Sequence, residues 1–328
     1  MSDYRYRLYA GSDADQAVDL FFECFGKKRT IDEWVWQHHS NPYGQGSIVC
    51  ESDQKLMGFY GVVFRPLMIR GRELTVGHVI DVMVHPNHQM KGVFMSMASA
   101  AFASSKVRGV RLLFGFPNDK AIRGHRKANW REVGARQILR HSLTQLQEPE
   151  ENENGIVIEW SSWKDLALNV EEIDALFQSS SSKRGFIADR SWRWLQWRYG
   201  QKPDSDYSVL VCRTEKDGSL KGWVILRTRR FEGKKVGHIV DWLTEGEGDA
   251  AQLLESRALR YFASEGCEYA QCLDNRDSER TQPSSPVWYG EEGRTLDLIL
   301  RSIDDLGDNT PQVGLSEWYL SLGDCDVF

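Results

Sequence analysis

The chain has 328 residues, enough for two domains of ordinary size, each with its own core. A formal charge of −6 argues against a nucleic-acid partner, whose phosphates need a basic footprint. No apolar run reaches the roughly 18 residues of a membrane span, and Met1-Ser2-Asp3-Tyr4-Arg5 lacks a signal peptide's apolar stretch, so a cytoplasmic protein without a membrane partner is expected.

Periodicity predicts a strand near residues 4–9, helices near 13–25 and 32–39, and strands near 47–52, 55–68 and 73–84. Turn signals at Ser52-Asp53-Gln54 and Arg70-Gly71-Arg72 join the last three strands as hairpins. Ile80 to Val84 is an apolar, β-branched run that Pro86 stops, because proline cannot donate to a ladder. A helix over 93–106 follows, with apolar stripes Val93, Met97, Ala101 and Phe94, Ala98, Phe102. A strand near 111–116, a helix near 119–127 and a strand near 137–146 complete this half. The segment from Glu148 to Gly155 is acidic and devoid of apolar residues, which marks a linker. It divides the chain into domains at 1–147 and 156–328, joined by 148–155. In the second domain Ser179 to Lys183 reads as a loop and 250–264 as a helix. Trp192, Trp194, Trp197 and Tyr199 read as core anchors of an amphipathic helix.

The turn Asn87-His88-Gln89-Met90-Lys91-Gly92 has the chemistry of an anion site. A helix entered through glycine leaves free N–H groups converging on one spot, and Gly92 lets a ligand come close. Lys91 adds positive charge. Neither GxxxxGK[ST] nor GxGxxG occurs, so this is not a P-loop or a dinucleotide fingerprint. Six scattered cysteines form no CxxC pair, and His85 and His88 lack a third ligand, so no metal is expected.

The chain also repeats itself. Val76-Gly77-His78-Val79-Ile80-Asp81 returns as Val236-Gly237-His238-Ile239-Val240-Asp241, shifted by 160 positions. Trp36 and Pro42 return as Trp197 and Pro203, shifted by 161. A shared period of half the chain argues for a duplicated domain. After Asp241 the glycines remain but Glu245, Glu247 and Asp249 replace the cations, which would repel a diphosphate. Pro283 and Pro286 stand where a matching helix would begin.

The stretch V-x-P-x-x-Q-x-K-G-x-F resembles the acyl-CoA loop of the GNAT superfamily of N-acyltransferases, written [QR]-x-x-G-x-[GA]. Gln89 and Gly92 match it, whereas Phe94 stands where the family has a small residue. Phe114-Gly115-Phe116-Pro117-Asn118 resembles the family's fifth strand and the Asn after it. Ala128-Asn129-Trp130 sits where the next helix commonly ends in Gly-Phe or Gly-Trp, and Asn129 tolerates the left-handed backbone that glycine would take. With the repeat, and the ending Trp318-Tyr319-Leu320…Gly323-Asp324-Cys325-Asp326, the chain resembles the tandem-GNAT type, which includes acyltransferases of polysaccharide biosynthesis.

The resemblance implies an α/β (α+β) fold, with two tandem GNAT-like domains, each a mostly antiparallel mixed sheet flanked by helices. It implies acetyl-CoA as co-substrate, bound only in the first domain, and a primary amine of a small molecule as acceptor, an amino sugar being the best match. Cofactor contacts would come from the backbone of Val82, Met83 and Val84, from the loop Gln89, Met90, Lys91, Gly92, Val93 and Phe94, and from Asn118 and Arg123. For the loop to work, Phe94 must point away from the cofactor. Asp81 is the expected base; its recurrence as Asp241 leaves a purely structural role open. His125, five residues before Trp130, is the expected acid for the coenzyme thiolate, with a surface histidine as the alternative. Lys120, Arg123, Arg126, Lys127 and Arg131 form either a rim for adenosine phosphates or a solvated face. The carboxylate of Phe328 is a further candidate base. Other readings are a non-catalytic acyl-CoA-binding or scaffold protein, and a tRNA-dependent aminoacyltransferase, against which the intact loop and acidic charge count. Whether the chain forms a homodimer is left open.

Overall fold

The computed structural model describes residues 4–144, 155–204, 206–245, 248–275, 288–303 and 314–325. Five strands open it: β1 (Arg5–Leu8), β2 (Ile48–Ser52), β3 (Lys55–Ile69), β4 (Arg72–Val84) and β5 (Leu112–Gly115), with β6 (Arg131–Ser142) next. Helices α1 (Ala14–Phe25) and α2 (Ile31–His38) precede β2, α3 (Val93–Val107) joins β4 to β5, and α4 (Ile122–Lys127) joins β5 to β6. The two hairpin turns use left-handed residues at Asp53, Gln54, Arg70 and Gly71, the geometry that matches strand twist. Thr30 caps α2 reciprocally with Glu33, so the chain turns sharply from its loop into the helix.

The same order recurs. Strand β7 (Ile156–Ser161) is followed by α5 (Trp163–Ala167), α6 (Val170–Ser181), the short β8 (Phe186–Ala188) and α7 (Trp192–Leu195), which runs on as a π-turn over Gln196–Gly200. Then come β9 (Ser208–Thr214), β10 (Leu220–Phe231), β11 (Lys234–Thr244), α8 (Asp249–Ser264), β12 (Tyr269–Leu273), β13 (Tyr289–Ser302) and β14 (Trp318–Tyr319). The Ser179–Lys183 stretch, expected as a loop, largely continues α6. Ser180 and Ser181 are buried because their hydroxyls donate to the carbonyls of Thr244 and Gln178. The Glu148–Gly155 segment, apart from Gly155, and the Pro283/Pro286 segment lie outside the described residues.

The strands belong to one mixed, mostly antiparallel sheet flanked by helices; twelve follow the order β1-β2-β3-β4-β5-β13-β6-β12-β11-β10-β9-β7, and β8 pairs β3 and β14 off this path. The sheets expected for the two halves thus run together, and they do so by exchanging their last strands. β5 pairs with β13, while β12 pairs with β6, and β13 pairs with β6 at the centre. β6 starts at Arg131, six residues before the strand expected near 137.

Between the halves, the Trp36 and Trp197 rings stack at 5.0 Å. Each indole Nε1 donates to the other residue's carbonyl, at 2.8 and 3.2 Å. On the first half, α1 and α2 cover one sheet face with Leu20, Phe21, Trp34, Phe59 and Met83, and α3 covers the other with Val93, Met97, Ala98 and Ala101. Val82 and Val84 pack on the α3 side.

Candidate active site

Parallel pairing of β4 with β5 covers only Gly77, His78 and Val79, opposite Leu113, Phe114 and Gly115. Beyond Val79, β4 continues to Val84 with β3 alone as its neighbour. The strands therefore part beyond Val79, and Val82, Met83 and Val84 have no strand neighbour on that edge among the described residues.

At the end of β4, the loop to α3 is shaped by left-handed backbone at Met90 (φ +60°) and Gly92 (φ +81°). Gly92 is the N-cap and provides no side-chain cap, and the N–H groups of Met90 to Phe94 make no hydrogen bond among the described residues. Such a concave run of donors suits a diphosphate. Lys91 is exposed beside it. Gln89 serves as a brace, its Nε2 donating to the Val84 carbonyl at 3.1 Å. Val93 is buried. Phe94 turns away from the loop mouth, its ring 5.9 Å from Tyr60 and 5.4 Å from His125. Gly124 makes room for it: a Cβ there would stand 2.8 Å from the Phe94 ring.

Asn118 follows β5 and is exposed; its Oδ1 accepts from the N–H groups of Lys120 and Ala121, which starts the turn into α4. Arg123 is exposed on α4, and Arg126 is committed to Glu132. Asn129 takes the left-handed conformation (φ +57°), and the Trp130 N–H closes the helix end onto the His125 carbonyl.

His125 is 3% exposed, among the rings of Phe94, Tyr60 and Trp130. Burial pushes its pKa down to about 4. Its imidazole is neutral at pH 7, which removes the cationic donor that the acid role assumed. The surface alternative is also corrected, since this ring is core. The Phe328 carboxylate lies outside the described residues.

Asp81 sits in a β-bulge, where Asp81 and Val82 together oppose Tyr60, and its φ is +49°. Gly61 permits this: a Cβ there would lie 2.3 Å from the Ile80 carbonyl and 3.1 Å from His38. The bulge aims the Asp81 carboxylate at α2 and the α1–α2 loop. Arg29 Nη1 reaches its Oδ2 at 2.6 Å and His38 Nε2 reaches the same oxygen at 2.9 Å. Oδ1 has no hydrogen-bond partner among the described residues. Burial would raise this carboxyl, but Arg29 and His38 outweigh it and hold the pKa down at about 2.

Arg29 and His38 escaped the sequence reading. The 161-residue shift that links Trp36 to Trp197 also links Arg29 to Arg190 and His38 to Tyr199, so the signal was present. In the second half, Arg190 Nε donates to Asp241 Oδ1 at 3.2 Å and the Tyr199 hydroxyl to Oδ2 at 2.9 Å. The Trp242 N–H also binds Oδ1, so both oxygens are taken. Burial raises the Asp241 pKa, against the pull of Arg190.

The second slot is filled as well. β11 and β12 pair in parallel only over Val236–His238, as β4 and β5 do. Beyond that point the chain's own segment Tyr319–Leu322 fits in: the Tyr319 hydroxyl donates to the Trp242 carbonyl, and the Asn275 amide pairs with both backbone groups of Leu320. Asp324 then bridges Arg190 (2.6 Å) and Arg65 (3.2 Å), all three fully buried. Glu245, after β11, is paired to Lys221, and Glu247 lies outside the described residues. Among the described residues no three His, Cys, Asp or Glu side chains converge as a metal site. No helix is long and apolar enough to cross a membrane.

The family profile for the acetyltransferase (GNAT) domain matches residues 5–133. No curated protein sequence matches the chain. Among solved structures, a probable N-acyltransferase from Enterococcus faecalis superposes with a TM-score of 0.72 at 14% identity, over 92% of this chain and 73% of that one. A GCN5-related N-acetyltransferase from Anabaena variabilis gives 0.69 at 13%, with the same two coverages. N-myristoyltransferase of Saccharomyces cerevisiae, with bound myristoyl-CoA, gives 0.60 at 12%, over 92% of this chain and 79% of that one. These likenesses concern the fold. The profile falls on the half that holds the parted strands and the uncapped loop, so this chain carries a GNAT acetyltransferase domain over residues 5–133.

Proposed function

We propose that the first half binds acetyl-CoA and transfers its acetyl group to a primary amine of a small molecule, with an amino sugar as the leading acceptor class. The observation that carries this reading is the conjunction, among the described residues, of parted strands, an uncapped loop and a carboxylate oxygen without a partner, all along the end of β4 and the start of α3. The loop N–H groups and Lys91 would hold the diphosphate. Backbone groups of Val82 to Val84, with Asn118, would line the pantetheine arm, and Arg123 would stand at the adenosine end.

Asp81 suits an amine anchor better than a strong base. A carboxyl with a pKa near 2 is ionised throughout the physiological range, and its Oδ1 can take a charge-assisted hydrogen bond from the acceptor nitrogen. As the N–C bond forms and the C–S bond breaks, nitrogen loses one proton and the coenzyme sulfur gains one, so the reaction balances without a cofactor beyond acetyl-CoA. Burial makes His125 a packing residue under the loop rather than the donor of that proton.

We also propose that residues 156–328 are a degenerate copy of 1–147, with the acidic 148–155 as the joint. The matching registers of β4–β5 and β11–β12, and the paired Arg–ring–Asp groups, support this. In that copy the slot is filled by the chain and both carboxylate oxygens are capped. Calorimetric titration with acetyl-CoA should give one site per chain. Thiol release with glucosamine among a panel of primary amines should then identify the acceptor class. Binding without turnover on any amine would favour an acyl-CoA-binding scaffold, and no binding would overturn the proposal.

A further inference from the structure

The Asp81 carboxylate is held asymmetrically, and the asymmetry has a use. Arg29 approaches from the α1–α2 loop and His38 from the last turn of α2, and both bond Oδ2. Neither touches Oδ1. In the second half the corresponding Arg190 and Tyr199 divide the two oxygens of Asp241 between them. The same three positions thus close one carboxylate and leave the other with a single open acceptor.

We propose that His38 and Arg29 are positioning residues for acyl transfer: they clamp Asp81 Oδ2 so that Oδ1 is presented to the acceptor amine. This rests on the reading of Asp81 as the amine anchor. Three features support it. Asp81 is held at a left-handed φ in a bulge, a conformation that persists only where the surroundings fix it. His38 is 0% exposed, and among the described residues its Nδ1 has no partner and its ring bonds only to Asp81. With Asp81 as acceptor, Nε2 carries the proton, and burial keeps the ring in that neutral tautomer against the opposing pull of Asp81.

The titratable groups around the pair are few. Arg29 faces it from the loop, Tyr9 lies 6.3 Å from the His38 ring after β1, and His78 senses Asp81 along β4. Asp13 stands behind Tyr9, and Glu33 and Lys202 lie beyond Arg29. The remaining contacts, Trp34 and Phe59, are uncharged.

The test is carbon-13 NMR of the full-length chain labelled at aspartate carboxyls, with Asp81→Asn used for assignment. In the parent protein the Asp81 signal should not titrate between pH 7 and 4. His38→Leu should move its midpoint up by about one unit or more, because a donor to the ionised form is lost. His38→Gln, which keeps a donor, should restore most of the shift. Arg29→Gln, on a partly exposed side chain, gives an independent second arm should His38→Leu fail to fold. With glucosamine as probe amine, His38→Leu should lower kcat/KM about tenfold and move its acid limb upward, leaving the acetyl-CoA Kd unchanged. An Asp81 signal that stays fixed in both His38→Leu and Arg29→Gln would overturn the clamp. Failure of the parent protein to bind acetyl-CoA would instead sink the catalytic reading, and the carboxyl titration would still report on the clamp.

Discussion

Replacing Asp81 by Asn isolates the charge of the clamp with little change of shape. Asn tolerates the left-handed backbone at least as well as Asp, so the bulge itself is not strained by the change. The carboxyl lies near 2 in the folded chain against an ordinary value of 3.8, a gap just under two units. At ~1.4 kcal/mol per unit, the ionised group contributes about 2–3 kcal/mol. The side chain is 5% exposed, so solvent screening subtracts little. The folded pKa is the depressed one, so this stability is present above pH 3.8 and is lost as pH falls toward 2. Urea unfolding followed by circular dichroism should therefore show Asp81→Asn less stable by ~2–3 kcal/mol at pH 7. At pH 3 the gap should shrink by about 1 kcal/mol, because the parent has begun to lose the contribution. A gap below about 0.5 kcal/mol at pH 7, or one that does not narrow with acid, would refute the assigned electrostatics.

Three further outcomes are expected. Lys91→Glu should weaken acetyl-CoA at least tenfold by calorimetry without changing unfolding, since the side chain is exposed at the loop. His125→Phe should keep turnover within a few-fold. It should also remove a loss of stability between pH 6.5 and 4, the window where the unfolded chain takes up a proton that the buried imidazole refuses. Gly323→Ala should cost several kcal/mol in chemical denaturation, of the order seen when a buried network is broken. A Cβ there would fall 1.9 Å from the Tyr199 hydroxyl, forcing it off Asp241.

The local parts of this fold were readable because each carries its own signal. The hairpin turns, the α3 stripe, the left-handed Asn129 and the Phe94 ring turned from the loop depend on residues a few positions apart. The exchanged strands were not readable. β6 begins at Arg131 because its partner is β13, from the far end of the chain, and Arg131-Glu132-Val133-Gly134 has no alternation of its own to announce a strand. At the site, Asp81 stood out by its place before Pro86, but Arg29 lies in Lys27-Lys28-Arg29, which reads as a solvated charge run. His125 was read among exposed basic neighbours, whereas its own ring packs inside against Phe94, Tyr60 and Trp130. Charge along a helix does not say which side is inside.

The crossing of β6 and β13 bears on how the protein is made. While the chain is being synthesised, the edge of β5 is complete by residue 115, but its neighbour begins at residue 289. At about 5–20 residues per second, roughly 10–30 s pass before that partner exists. Through that interval Leu112 to Gly115, buried in the finished sheet, present an unpaired edge to water or to other nascent chains. A chain that stops before residue 299 lacks the residues that pair with this edge, so the first half's sheet is closed only by the last part of the chain.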